Sequence, residues 1–504
     1  MNYKILGICG SLRNARRGLG KKSLVDEIMA IETCDELMAY IEQEAYAHLE
    51  NFKQAGRESN VPFDEMYKQL KSLKGNRGLS NSEIALAVAL WEVKQKGGQI
   101  EHLSLSEYFT ESYDESHLEE FKHKLIEADG FILSTPVYFG DRGSLAQSLI
   151  ELFKNDDELR AAVMDKTYAG LAVGAKRNGG QETTLIYQLM DMINCGLLGM
   201  GNDSDTTSQY GGTGVAGDIG TMPKDEYGLN TAMGTGRRIA NVTRMLKMGR
   251  DRRIKGRPRV MFWILQDKDE VAFNTVNRLI QTNADDLDAS VFNLVDQHIF
   301  RCLACDICPT HIDLDEEYRC IIKTNRDDFS DLHEQFLDMD AIIPVTYSPA
   351  NRSGLKSNYQ RFIERTRYLR RGDYVFSDLV ACPLVIEDLG AGEHMDVRMM
   401  TSTLRHHTIM SNPMLLYLNK GEEMNTSALN SEFRRLLDRT SRVAAARIAS
   451  MAEESEGVEH KYNPVGYVLS VGKDAEDQKL NKRSEMIQNR IARTKKIYRT
   501  HVDS

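Results

Sequence analysis

No run of about 18 consecutive apolar residues occurs in the chain, so no segment reads as a membrane-spanning helix. Also missing is a basic region followed by an apolar core and a cleavage site, because MNYKILGICGSLR goes directly into an apparent strand. A cytoplasmic protein is the expectation. Positive charge is in deficit, with 64 Lys and Arg against 74 Asp and Glu and a net charge of −10. The field of the whole molecule therefore opposes nucleic acid and anionic membrane, and neither is expected as a partner. Eight cysteines in a cytosolic chain argue against a disulfide framework. His394 and the pair His406-His407 lack metal-ligand spacing and read as surface or core histidines. At 504 residues, 41% hydrophobic and 27% charged, the chain has room for two or three ordinary domains and is too well mixed to be disordered.

One stretch departs from the acidic average. Arg244, Lys247, Arg250, Arg252, Arg253, Lys255, Arg257 and Arg259 stand against Asp251 alone. Such runs are common between domains, and a solvated linker is the expected reading over a binding patch.

A long-period repeat organises the rest. ADGFILSTPVYFGDRGSL from Ala128 and MDAIIPVTYSPANRSGL from Met339 each show an acid, an unalternating apolar run, a Pro/Tyr turn, then a Gly and a helix start. The apolar run suits a strand buried on both faces of a parallel sheet. Each half also opens on a short strand, YKILGICG or RVMFWIL, and has a helix-turn-strand unit upstream of the repeat, at Ser82 to Leu105 and Asp269 to Leu294. Alternating strands and helices imply a doubly wound α/β parallel sheet in each half. The expected divisions are 1–248, 258–452 and a basic helical tail, 453–504. A helical insertion at about 14–78 interrupts the first half, with ETCDELMAYIEQEAYAHLENFKQ its clearest amphipathic piece.

Candidate chemistry lies at the turns of the first half. Gly10-Ser11-Leu12-Arg13, with a helix opening at Ser80-Asn81-Ser82-Glu83, offers hydroxyls, backbone N–H groups and a guanidinium suited to a phosphate. Taken alone, the same residues are better read as ordinary helix capping. Thr135-Pro136-Val137-Tyr138-Phe139-Gly140 would put amides and aromatic faces at the carboxyl end of the sheet, where open α/β folds bind ligands. YAGLAVGA then leads through Lys176-Arg177-Asn178-Gly179-Gly180 into a helix. Three loops at the ends of three strands can surround a planar ring.

On these three motifs, in this order, residues 1 to about 245 resemble the NADPH-dependent FMN reductase branch of the flavodoxin-like superfamily, in particular its iron-sulfur flavoproteins and quinone reductases. The resemblance implies a flavodoxin-like sheet in each half. It implies that Ser11, Arg13, Asn81 and Ser82 hold the FMN phosphate. Pro136, Val137, Tyr138, Phe139 and Gly140 would line one edge of the ring, and the segment from Gly174 through Lys176, Arg177 and Gly179 to Gly180 would close the other side. Reduced NADPH or NADH would be the electron donor, and the cofactor rather than a protein nucleophile would carry the reaction. The insertion inside the phosphate loop departs from the family, and a lid or substrate wall is one reading of it.

The second half lacks these loops. Its first strand runs into Gln266-Asp267-Lys268-Asp269, where carboxylates replace the Gly-Ser turn and would repel an anion. No flavin is expected there. Instead it carries Cys302, Cys305 and Cys308, then Cys320 and Asp327-Asp328, with 11 residues between the last two cysteines. Four such thiolates suit a 4Fe-4S cluster, and zinc would accept the same sulfurs. The family's iron-sulfur flavoproteins carry a more compact cysteine motif at this place, followed by an Asp-Asp pair. The expected protein is an FMN oxidoreductase, acting as a homo-oligomer, that passes electrons to a small-molecule or protein acceptor. The alternative readings are a quinone or flavin reductase with a zinc-stabilised second binding domain, and a non-catalytic electron-transfer partner.

Overall fold

The computed structural model describes residues 2–13, 23–72, 78–109, 115–203, 209–305, 320, 322, 324, 326–336, 339–373 and 375–453. Cys308 and the expected tail from 454 lie outside them. The chain divides into two compact units, Met1–Arg244 and Met245–Ser504. The division falls within the helix Glu226–Met248, a few residues ahead of the linker that composition indicated. Among the described residues no helix is long and apolar enough to cross a membrane.

The first unit contains β1 (Lys4–Cys9), β2 (Gln99–Ser104), β3 (Gly130–Tyr138), β4 (Asp141–Arg142), β5 (Thr167–Gly174), β6 (Leu198–Gly199) and β7 (Gly212–Val215). Parallel pairing gives the order β2-β1-β3-β5, with the place beyond β5 shared by β6 and then β7. Among the described residues of this unit only β4 runs antiparallel, folding back on the end of β3. By rank along the chain this is 2-1-3-4-5, the flavodoxin-like doubly wound order, which leaves a crevice at the carboxyl ends of β1 and β3. Every residue of β5 is buried, as are the first six of β3, which is why these strands show no apolar-polar alternation.

The helix Asn81–Gln95 explains the insertion. Its sequence, NSEIALAVALWEVKQ, has no polar face, and every residue from Ser82 to Val93 is buried. A helix apolar all round needs cover on the side away from its sheet. The insertion supplies it with helices Leu24–Ala30 and Cys34–Gln54, opened by capping boxes at Ser23/Asp26 and Thr33/Glu36, and it also carries the helix Phe63–Ser72. Trp91 Nε1 and Lys94 Nζ both donate to the Ile31 carbonyl, at 3.1 and 2.6 Å.

The second unit repeats the topology with β8 (Arg259–Asp267), β9 (Asp288–Asn293), β10 (Ala341–Ser348), β11 (Lys356–Ser357), β12 (Val380–Ala381), β13 (Leu384–Asp388), β14 (Ile409–Met410), β15 (Met414–Asn419) and β16 (Glu422–Glu423). Its parallel order is β9-β8-β10, then β12/β13, then β14/β15. The last two positions are each split in two, at Cys382-Pro383 and at Asn412-Pro413. Proline has no N–H for a ladder, so each tract breaks there. The short strands β11 and β16 pair antiparallel with β8 and β15. Trp263, 1% exposed, centres the core, with Phe362, Phe376 and Phe336 ring centroids 4.8, 5.4 and 5.8 Å away; each such pair contributes roughly 0.5–1.5 kcal/mol beyond its burial.

Candidate functional site

The crevice of the first unit has two ends. At the first, the Gly10 N–H donates to the Ser134 carbonyl at 2.8 Å, turning the chain as it leaves β1. Ser11 is buried, and its Oγ accepts from the Arg13 N–H at 3.2 Å. Ser80 caps the helix Asn81–Gln95, its Oγ accepting from the Glu83 N–H at 3.3 Å. The N–H groups of Asn81 and Ser82 have no intrahelical acceptor, and the positive end of the helix dipole lies at the same place. Ser82 is fixed from below, because Ser134 Oγ donates to its carbonyl at 2.7 Å. The side chain of Asn81 has another task than the expected one. It donates to the Asp218 carbonyl at 2.9 Å and accepts from the Met222 N–H at 3.2 Å, strapping that loop to the helix; only its backbone N–H still faces a ligand's needs.

At the other end, β3 runs out through Pro136 and Val137 to Tyr138 and Phe139, both exposed, and Gly140. Phe139 and Gly140 have φ of 52° and 81°, the left-handed turn that folds β4 back. Beyond β5 the loop from Lys176 ends at Gly180, with φ of 102°. A Cβ at Gly180 would lie 2.6 Å from Gly140 Cα and 3.3 Å from Val137 Cγ1. The two expected ring-binding loops therefore touch, glycine against glycine. Gln181, which sequence reasoning passed over, is buried behind them. Its Nε2 donates to the carbonyls of Lys176 and Gly214 at 2.7 and 3.1 Å, and its Oε1 accepts from the Gly179 N–H at 2.8 Å. Gly174 leaves room for it, since a Cβ there would meet Gln181 Nε2 at 2.8 Å. This amide fastens the loop after β5 to β7 as one wall.

The two cations of that loop differ. Lys176 is exposed at the mouth. Arg177 turns aside, donating to the Thr213 carbonyl at 2.9 Å, pairing with Asp225 and lying 4.5 Å from the Tyr227 ring. Its expected role at a ring gives way to holding β7 and the start of the last helix. Asp225 also accepts from the Val215 and Gly228 N–H groups at 2.6 and 3.1 Å, so it caps that helix.

The insertion adds groups the motifs did not indicate. On helix Cys34–Gln54 the buried residues are Leu37, Ile41, Glu44, Ala45 and His48, one helical stripe with two polar members. That pattern break was the available sequence signal. Glu44 accepts from the Gly78 N–H at 3.0 Å, just ahead of the Ser80 cap. Arg13 lies 6.0 Å from the ring of Phe52, on the same helix. The insertion thus covers the phosphate-type end of the crevice. A crevice with buried hydroxyls and open helix N–H groups at one end, and two apposed glycine loops with exposed aromatics at the other, fits a flat ring carrying a terminal phosphate.

In the second unit the corresponding place is filled from within. The Asp267 carboxylate, at the end of β8, accepts from the N–H groups of Lys268, Ala272 and Phe273 at 2.7, 2.9 and 3.0 Å. Burial pushes this carboxyl up, and these donors pull against it. Gln266 is taken up by the Tyr347 carbonyl at 3.0 Å and Glu393 at 2.8 Å.

Of the four expected sulfur ligands, Cys302 and Cys320 are half-buried and Cys305 is exposed. Among the described residues no three His, Cys, Asp or Glu side chains stand together as a metal site. What the structure does bring together is the flanks of the motif. Asp327 and Arg365 form a fully buried two-pronged pair at 2.9 and 2.7 Å. Asp327 also accepts from the Phe300 N–H at 3.0 Å, and Asp328 from the His298 N–H at 2.6 Å. The segment entering Cys302 is thereby tied to the segment leaving Cys320.

Residues 74–202 match the family model for NADPH-dependent FMN reductases. An iron-sulfur flavoprotein of Methanocaldococcus jannaschii is 39% identical over 132 residues, 26% of this chain and 66% of the relative. An iron-sulfur flavoprotein of Archaeoglobus fulgidus is 23% identical over 36% of this chain and 97% of its own length. An NAD(P)H dehydrogenase (quinone) of Solidesulfovibrio magneticus is 27% identical over 25% of this chain and 66% of its own length.

Proposed function

The chain carries a domain of the NADPH-dependent FMN reductase family, and from that premise we propose that it is an NAD(P)H-dependent oxidoreductase holding one FMN in its first unit. Electrons would leave through a 4Fe-4S cluster on Cys302, Cys305, Cys308 and Cys320 to a separate acceptor. The observation that carries the flavin site is the apposition of Gly180 and Gly140, 2.6 Å from a would-be Cβ to Cα, at the strand ends where open α/β sheets bind ligands.

FMN, when bound, supplies a ring that accepts a hydride from the reduced nicotinamide. The chain's own residues do the rest. Ser11, the N–H groups of Asn81 and Ser82, and Arg13 would hold the phosphate by charge-assisted hydrogen bonds. The Pro136–Gly140 and Lys176–Gly180 segments would fix the ring plane, and Lys176 would offset negative charge gathered on it. The second unit would hold no flavin, because the Asp267 carboxylate already takes the N–H groups a phosphate would need. For the cluster, support comes from the Asp327 and Asp328 clamp on both flanks of the cysteine motif.

Anaerobically purified protein tests both parts. Released flavin should approach one per chain, and a value near two would reject the reading of the second unit. Ser11→Asp with Ser82→Asp should abolish retention. Iron and sulfide should be present, and Cys305→Ser should remove them while FMN binding and its reduction by nicotinamide persist. Zinc without iron would make the second unit a zinc-stabilised binding domain instead.

A further inference from the structure

His48 lies on the insertion helix Cys34–Gln54 and is 1% exposed, yet neither Nδ1 nor Nε2 has a hydrogen-bond partner. Buried imidazole nitrogens are ordinarily paired, and leaving them unpaired costs about 1–3 kcal/mol each. The residue packs against the segment that leads into the phosphate end. A Cβ on Gly78, two residues before the Ser80 cap, would meet the His48 backbone N at 2.6 Å and its Cβ at 3.0 Å. On the other side the Phe52 ring centroid lies 5.1 Å away, and Arg13 lies over that same Phe52. Burial first, and the Arg13 guanidinium second, push the imidazole down to about 4. At neutral pH the ring therefore presents one N–H donor and one bare nitrogen, within the field of the Arg13 cation. Arg13 and an imidazole donor left without an acceptor thus flank the same Phe52 ring, on a helix packed against the segment that leads into the Ser80 cap.

Resting on the FMN reading above, we propose that His48, supplied by the insertion, is a phosphate-binding residue that donates a hydrogen bond to the terminal phosphate of FMN. The insertion then acts at the phosphate end rather than over the ring, as one wall of the phosphate site. Its consequence is selectivity for the phosphorylated flavin over riboflavin, which has the same ring and no phosphate. Glu44, one helical turn earlier, accepts from the Gly78 N–H and ties the two segments together without using the His48 imidazole.

The test is titration of the flavin-free full chain with FMN and with riboflavin, followed by flavin fluorescence, for the wild type, His48→Leu and His48→Gln. In His48→Leu the affinity for FMN should fall roughly tenfold or more, the worth of one hydrogen bond to a charged group, while that for riboflavin stays unchanged. His48→Gln, which keeps a donor, should recover part of the loss and serves if the leucine variant does not fold. Equal loss for both flavins would make His48 a packing residue and overturn the proposal, as would unchanged FMN affinity. Failure of the wild type to bind FMN would overturn the flavin reading itself, a result distinct from either.

Discussion

Two glycines a few ångströms apart provide a controlled test of the ring-binding wall. Gly140 and Gly180 both have positive φ, 81° and 102°, so alanine at either costs about 1 kcal/mol in backbone strain. Their surroundings differ. A Cβ on Gly140 meets nothing within 4 Å, whereas one on Gly180 meets Gly140 Cα at 2.6 Å and Gly140 N at 3.2 Å. Backbone atoms cannot rotate out of the way as a side chain can, so Gly180→Ala forces the two loops apart, at an overpacking cost of roughly 1–3 kcal/mol. The sum, about 2–4 kcal/mol, exceeds the Gly140→Ala cost by a factor of two or more. FMN titration by fluorescence, with urea unfolding as the measure of stability, reads both. Gly180→Ala should weaken FMN by roughly tenfold or more and lower the unfolding midpoint, while Gly140→Ala should leave FMN nearly as in the wild type. Equal effects of the two substitutions on FMN would refute the contact between the loops as the source of the site.

Two further outcomes concern the second unit. Asp327→Ala leaves the fully buried Arg365 without its carboxylate and should destabilise the protein by about 3–5 kcal/mol, seen in denaturant unfolding; a change below about 1 kcal/mol would mean the pair is not desolvated. His406 is buried and pushed down to about 3, first by burial and then by Arg370 and Arg405. Because its folded value lies below its unfolded one, the folded state excludes a proton that the unfolded chain takes up below about pH 6.5. Stability is whole above that pH and declines as pH falls toward 3, at roughly 1.4 kcal/mol per unit. His406→Gln should flatten the stability profile between pH 6 and 4 relative to the wild type, and parallel profiles would remove His406 from the acid response.

The sequence alone determined the fold class and its duplication, because strands buried on both faces need unbroken apolar runs, and those runs recur at matching places in GFILSTPVY and AIIPVTYS. It also located the loops of the crevice, since Gly and Pro punctuate a chain wherever backbone geometry is unusual. The acidic replacement at Asp267 was legible too, because charge needs no neighbours to be recognised. Tertiary structure alone decided what each polar side chain does. Asn81 and Arg177 occupy positions that the family motifs assign to the ligand, yet each bonds to a segment remote in sequence, Asp218 to Met222 in one case and Thr213 with Asp225 in the other. Gln181 and His48 carried no motif, and their importance comes from burial beside backbones that only folding brings near. Apolar periodicity reports where a chain must hide surface, but a hydrogen bond is a distance of about 3 Å with a direction, and that is fixed only when the segments have met.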